Sequence, residues 1–311
     1  MLLKSENLQK TGSFKLRGVL NRIRTLDGDE RRRGLITISA GNHAAALAWG
    51  AAAEGVPCTV VMPEGAEPAK VDASRGYGAD VVVHGDVHAA FEECFRLRDE
   101  RGLTFIHPFD DAGIIAGAGT VGLEILEDAP EADVVVVPVG GGGLISGVAA
   151  AVKGRRPGAR VYGVEPEGAP GLRRALDAGE VVRLERVDTV AGGLAPPFAG
   201  ALALEHARAL VEDVVLVSDD ALLDAMRFIL ERAKLLVEPS GAVGVAALLD
   251  GRIPLAREDT VVALLSGGNT SLQCCESRTE APVPTSTEKT PCDDSASAPA
   301  TLPPPSSPPR P

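Results

Sequence analysis

Aromatic residues are scarce in this 311-residue chain, at 3% with a single tryptophan, whereas glycine is plentiful at 35 residues. That balance suits tight packing of helices on sheets. Positive charge is also in deficit: the net charge is −12 and the pI near 5.0, which argues against a nucleic-acid partner or an anionic membrane surface. An anionic small ligand would then have to be held by local donors. The five cysteines, Cys58, Cys94, Cys274, Cys275 and Cys292, show no CxxC spacing and no ligand pattern with the five histidines. Neither a disulfide framework nor a zinc site is expected, and a reducing cytoplasm fits. No apolar run reaches membrane-spanning length, and no signal-peptide pattern follows Met1, so a soluble intracellular protein is expected. There is no fixed-period repeat.

What is present is enough chain for a sizeable core, with a length that favours two domains. Strand-like runs occur at Leu35 to Ile38, Cys58 to Met62, Asp80 to Val83 and Leu103 to Ile106. They continue at Asp133 to Val139, Arg160 to Glu165, Val214 to Val217 and Thr260 to Leu265. Helical patterns separate them, among them Pro68 to Tyr77, Val87 to Arg101, Asp110 to Glu127, Leu144 to Lys153, Ala199 to Leu210, Asp219 to Ala233 and Gly241 to Asp250. Asp27 to Arg33 reads as a polar connection. This alternation predicts an α/β fold built from βαβ units with parallel sheets. From Glu276 onward Pro, Ser, Thr and Ala dominate, and such a segment cannot offset its ordering entropy.

Four stretches carry chemistry. In TGSFKLRG, Lys15 opens a helix that Thr11 or Ser13 can cap, and Phe14 lays an apolar ring beside its amine. A lysine so desolvated becomes a usable nucleophile and base; taken singly it also reads as a solvated lysine on an amphipathic helix. In SAGNH, Ser39, Gly41, Asn42 and His43 offer donors at a helix N-terminus suited to a carboxylate, although His43 alone reads as a surface residue. The run Gly140 to Gly143 ends a buried strand and opens a helix, where N–H groups can converge on an anion. No lysine follows it as in a nucleotide P-loop, so a small terminal phosphate fits better. In LLSGGN, Ser266 stands at a strand's carboxyl end, where open α/β sheets bind ligands. Each of the last two also reads as a plain turn.

Together the segments KSENLQKTGSFKLRG, SAGNHAAALA, IIAGAGTVGLEI, VPVGGGGLISG, VEPEGAP, GGLAPPFAG, ERAKLLVEPSGAVG and LLSGGN resemble the fold-type II pyridoxal-phosphate enzymes. The likeness is to the threonine/serine dehydratase (ammonia-lyase) and serine racemase group and spans about residues 4 to 272. It implies a tryptophan-synthase-β-like fold, with residues 1–33 and 111–273 forming a large cofactor domain. Residues 34–110 would form a smaller substrate domain, and 274–311 a disordered tail. It further implies pyridoxal 5'-phosphate held by Lys15 as a Schiff base, with Phe14 beside the ring and Asn42 at the ring hydroxyl. Gly140, Gly141, Gly142 and Gly143 would hold the phosphate, and Ser266 would face the pyridine nitrogen. Ser39, Asn42 and His43 would bracket the substrate carboxylate. The activity implied is β-elimination of water from L-threonine or L-serine, giving a 2-oxo acid and ammonia, in a cytoplasmic homo-oligomer.

Departures refine this expectation. Racemases of the group resemble SSGNH, with a serine as the opposite-face acid and base, but this chain has Ala40 there. Related sulfur-transfer synthases resemble S-x-K-D-R, which SFKLR does not match. Glu165 stands where the group carries a cation ligand, with Gly171 in place of a second carboxylate, so a monovalent or divalent cation has no support beyond Glu165. Family members carry several dozen residues ahead of the segment resembling KSENLQ. An N-terminally shortened chain is therefore expected, and a shortened, inactive cofactor-binding protein is the alternative to an enzyme.

Overall fold

The computed structural model describes residues 1–270, which fall within one compact unit. The elements in order are β1 (Leu2–Ser5), α1 (Lys15–Arg24), α2 (Gly28–Arg33), β2 (Leu35–Ile38), α3 (Asn42–Ala53), β3 (Cys58–Met62), α4 (Pro68–Gly76) and β4 (Asp80–Val83). There follow α5 (Val87–Arg101), β5 (Thr104–Phe105), α6 (Ala112–Asp128), β6 (Val134–Pro138), α7 (Gly143–Arg155), β7 (Arg160–Pro166) and α8 (Gly171–Ala178). The last are α9 (Ala201–Leu210), β8 (Asp213–Val217), α10 (Asp219–Ala233), α11 (Pro239–Leu249) and β9 (Val261–Leu265). Two sheets result, one ordered β1-β9-β6-β7-β8 and one ordered β4-β3-β2-β5, and every strand pairing in them is parallel. The second sheet takes all its strands from residues 35–105. The Pro/Ser-rich segment expected from 274 onward lies outside the described residues.

Parallel sheets covered on both faces need strands that are apolar on both faces, and VVVVP of β6 is buried throughout. Its side chains alternate: Val135 and Val137 join the core beneath α6 and α7, whereas Val134 and Val136 join the one beneath α10 and α11. In the smaller sheet Leu35, Val60 and Met62 pack towards α1 and α3, while Ile36 and Val61 face α5 with Cys94. Full burial of each such aliphatic side chain contributes about 1.5–3 kcal/mol. Among the described residues no helix is long and apolar enough to cross a membrane.

Helix α1 is fixed on α6 by close approach and by charge. A Cβ at Gly18 would sit 2.7 Å from Ile114 O, so only glycine admits that spacing. The Arg17 guanidinium grips the buried Glu6 carboxylate through Nε (2.7 Å) and Nη2 (2.8 Å), and also reaches Glu124 and Thr120 of α6. Lys4 closes the network on Glu124 at 2.7 Å. The segment from Asp27 to Arg33, expected as a polar connection, contains α2. Its Asp27 side chain accepts from the Asp29 and Glu30 N–H groups, while Glu30 accepts from Asp27 N–H: a capping box supports a helix that buries nothing.

Candidate active site

The turn ahead of α1 is pinned to the far end of the fold. Phe14 N–H donates to Ser266 O at 3.0 Å, Gly268 N–H donates to Gly12 O at 2.9 Å, and Ser13 bridges Gly267 in antiparallel fashion. Gly12 takes φ +74° here, a conformation that favours glycine. This pairing corrects the expected cap: Phe14 is the N-cap of α1 and makes no side-chain cap bond. The backbone of this segment pairs with residues 266–268 instead, and the Thr11 and Ser13 hydroxyls are buried with no hydrogen-bond partner among the described residues.

Lys15 follows at once. Its Nζ donates to Pro108 O at 2.8 Å and lies 5.2 Å from the Phe14 ring centre. Burial lowers the amine from 10.5 to about 8, against the opposing pull of the Glu238 charge. A cavity of about 10 Å³, no larger than a water, is lined by Lys15, Phe14, Pro108, Phe109, Gly143 and Leu144, so Lys15 and the start of α7 border one space. His43, read alone as a surface residue, is instead 3% exposed, with Nε2 3.3 Å from Ile106 O and Nδ1 without a partner. Burial and then the Lys15 charge depress it to about 3, so it is a neutral imidazole. His107 Nδ1 accepts the N–H groups of Phe109 and Asp110 at 3.2 and 2.8 Å, which leaves its proton on Nε2.

The four glycines turn the chain from β6 into α7 with no side-chain cap. The first backbone bond there runs from Ser146 N–H to Gly142 O at 3.0 Å, and the N–H groups of Gly143, Leu144 and Ile145 meet no acceptor among the described residues. Neighbours fill the space a Cβ would need: Leu194 over Gly140, the Phe109 ring over Gly141, Ala203 over Gly142 and the Phe109 backbone over Gly143. The run therefore answers a packing demand as well as leaving donors free.

Asn42 opens α3, with Gly41 as an N-cap that makes no side-chain bond. Asn42 Nδ2 donates to Glu238 Oε1 at 2.6 Å, and Asn269 Nδ2 donates to Asn42 Oδ1 at 2.9 Å. Ser266 Oγ, 3% exposed, donates to Ser240 O at 3.3 Å, and Ser240 Oγ accepts from Gly193 N–H at 2.9 Å. Ser39 turns its Oγ back on its own loop, accepting from Gly41 N–H at 3.2 Å. Glu165 is fully buried and caps α8, its two oxygens taking the Leu172 and Arg173 N–H groups at 2.7 and 2.9 Å. Burial nevertheless lifts its carboxyl to about 8. Among the described residues no group of three or more His, Cys, Asp or Glu gathers as a ligand set. Glu238 is the site residue that sequence reasoning missed. Its signal was a lone acid directly before the Pro that opens α11.

A family model described as "Pyridoxal-phosphate dependent enzyme" matches residues 1–267. The chain is 45% identical over 268 residues to the L-threonine ammonia-lyase of Thermotoga maritima, covering 86% of this chain but 66% of that protein. It thus spans just under two-thirds of that relative's length. It is 41% identical over 274 residues to the catabolic L-threonine dehydratase of Escherichia coli, covering 88% of this chain and 83% of that one. The solved structure of maize serine racemase superposes with a TM-score of 0.84 at 39% identity, covering 87% of this chain and 84% of the racemase.

Proposed function

The chain belongs to the pyridoxal-phosphate dependent enzymes, and from that premise we propose that it is a dehydratase. It would convert L-threonine, L-serine or both to a 2-oxo acid and ammonia. The residues present fit the cofactor: unanswered N–H groups at the start of α7 suit its phosphate. The Lys15 amine, held close to neutrality in the same cavity, suits a covalent anchor. Gly140 to Gly143 would hold the phosphate, Phe14 the ring face, Asn42 the ring hydroxyl and Ser266 the ring nitrogen. When bound, the cofactor supplies an electron sink. The observation that carries this reading is the shared cavity of Lys15 and Gly143, tied through Phe14 N–H to Ser266.

The chain's own residues then divide the work. Lys15 Nζ, as free amine, accepts the substrate Cα proton. Ser39 and the N–H groups opening α3, that of Asn42 among them, bind the substrate carboxylate, and His43, being neutral, contributes no charge to it. Residues 34–110 would act as the substrate domain and 1–33 with 111–273 as the cofactor domain, closing to exclude water. We place the enzyme in the cytoplasm as a homo-oligomer acting on a small amino acid.

Serine racemases are among the similar proteins, yet Ala40 argues for elimination. It packs in the apolar cluster of the smaller sheet and has no hydroxyl to return a proton from the opposite face. The test is direct: the purified chain titrated with pyridoxal phosphate should gain a visible absorbance band that Lys15→Ala abolishes, and L-threonine or L-serine should yield ammonia and a 2-oxo acid. D-serine as the main product would overturn the dehydratase reading. A cofactor-loaded protein without turnover would favour the inactive alternative.

A further inference from the structure

A carboxylate stands in the middle of this site. Glu238 Oε1 accepts from Asn42 Nδ2 at 2.6 Å. Asn42 is held on its other side as well, because Asn269 Nδ2 donates both to Asn42 Oδ1 at 2.9 Å and to Thr11 O at 2.8 Å. One amide proton of Asn42 is committed to Glu238 and its carbonyl to Asn269, which leaves a single N–H for a ligand. Space reinforces the arrangement. Gly267 packs directly on Glu238 Oε1, and a Cβ there would also come within 3.2 Å of Asn42 Nδ2.

We infer that Glu238 is a positioning residue that fixes the Asn42 amide, leaving its second N–H for the cofactor's ring hydroxyl, and that its carboxyl also faces Lys15. The inference rests on the proposed function. Fixing the amide requires an acid. A carboxylate only accepts, so it forces Nδ2 towards itself, whereas a neutral amide could donate and let Asn42 turn over. The charged groups that face Glu238 are Lys15 from α1 and Lys70 from α4. His43 and His107 also face Lys15, and burial lowers the pKa of both, which favours neutral imidazoles there. Burial raises the Glu238 carboxyl to about 7, with the Asn42 hydrogen bond and the two lysines opposing. The charge beside Lys15 is therefore gained and lost within the neutral range.

The test uses the full chain and pyridoxal phosphate as the probe, with binding read from visible absorbance. Glu238→Ala and Asn42→Ala should each weaken binding by about ten- to a hundredfold, the value of a hydrogen bond to a charged group. The double variant should be no weaker than the worse single one. Glu238→Gln, of the same size, should move the acid limb of the kcat/KM profile and the absorbance–pH curve of the bound cofactor to lower pH by about one unit, because the Lys15 nitrogen loses a charge that favours its protonated form. Additive losses in the double variant, or unmoved pH curves in Glu238→Gln, would overturn the inference. Should the alanine variant not fold, the glutamine variant's pH curves decide alone. A wild-type chain that fails to bind the cofactor overturns the parent reading; one that binds and turns over while its Glu238 variants behave identically overturns only this step.

Discussion

Replacing Lys15 with methionine should stabilise the cofactor-free protein. The folded amine titrates near 8 instead of 10.5 because burial disfavours its charge. Below pH 8 both states carry the proton, and the folded state bears the full penalty: a displacement of roughly 2.5 pH units, at about 1.36 kcal/mol each, is roughly 3 kcal/mol. Between 8 and 10.5 the unfolded chain binds more protons than the folded one, so native stability rises with pH across that window and the penalty vanishes at its top. Methionine removes the charge and keeps the length. It also forfeits the bond to Pro108 O, returning about 1–2 kcal/mol. Urea unfolding of wild type and Lys15→Met at pH 7, 8, 9 and 10 should therefore show the variant about 1–2 kcal/mol more stable at pH 7. That advantage should shrink, then reverse, by the alkaline end. Groups that do not feel the Lys15 charge cancel in the difference. A variant less stable than wild type at pH 7, or a difference that stays flat with pH, would refute the claim that folding strains this amine.

Arg17→Ala should cost about 3–5 kcal/mol in urea unfolding, since it strands the Glu6 carboxylate, 1% exposed, without its paired guanidinium; a loss below about 1 kcal/mol would deny the pair its structural role. Gly141→Ala should lower Tm by an overpacking cost of about 1–3 kcal/mol against the Phe109 ring, and Phe109→Ala in the same chain should recover most of it. Glu165, raised from 4.5 to about 8 in the fold, contributes stability that is present below 4.5 and lost as pH rises through 8. Glu165→Gln should flatten the stability–pH curve in that window, and an unchanged slope would count against it.

Much of this architecture was legible because its signals are local and periodic. Helices α5 and α10 run over 87–101 and 219–233 as the pattern placed them, and the β-branched run before the four glycines is the central strand β6. Helix α2 escaped because it has no apolar stripe; only the Asp27 and Glu30 reciprocal cap marks it. The span of α8 was passed over because the acid that caps it, Glu165, is seven residues away in sequence and meets it only after folding. Thr11 and Ser13 read as helix caps in sequence, but the Thr11 carbonyl is taken by Asn269 and the Ser13 backbone by Gly267. Phe109 is similar: the glycine run announced a cradle, but which ring rests on it depends on a chain segment some thirty residues earlier. Apart from α2, what the sequence does not display is a partner distant along the chain.

The bridge between Ser13 and Gly267 has a consequence for biosynthesis. Lys15 is synthesised well before the strand and turn against which its segment packs. At about 5–20 residues per second the roughly 250 residues between them take about 10–50 s to synthesise. Throughout that interval the burial that lowers the Lys15 amine to about 8 is incomplete. The role proposed for Lys15 therefore waits on one late step, when Ser13 meets Gly267.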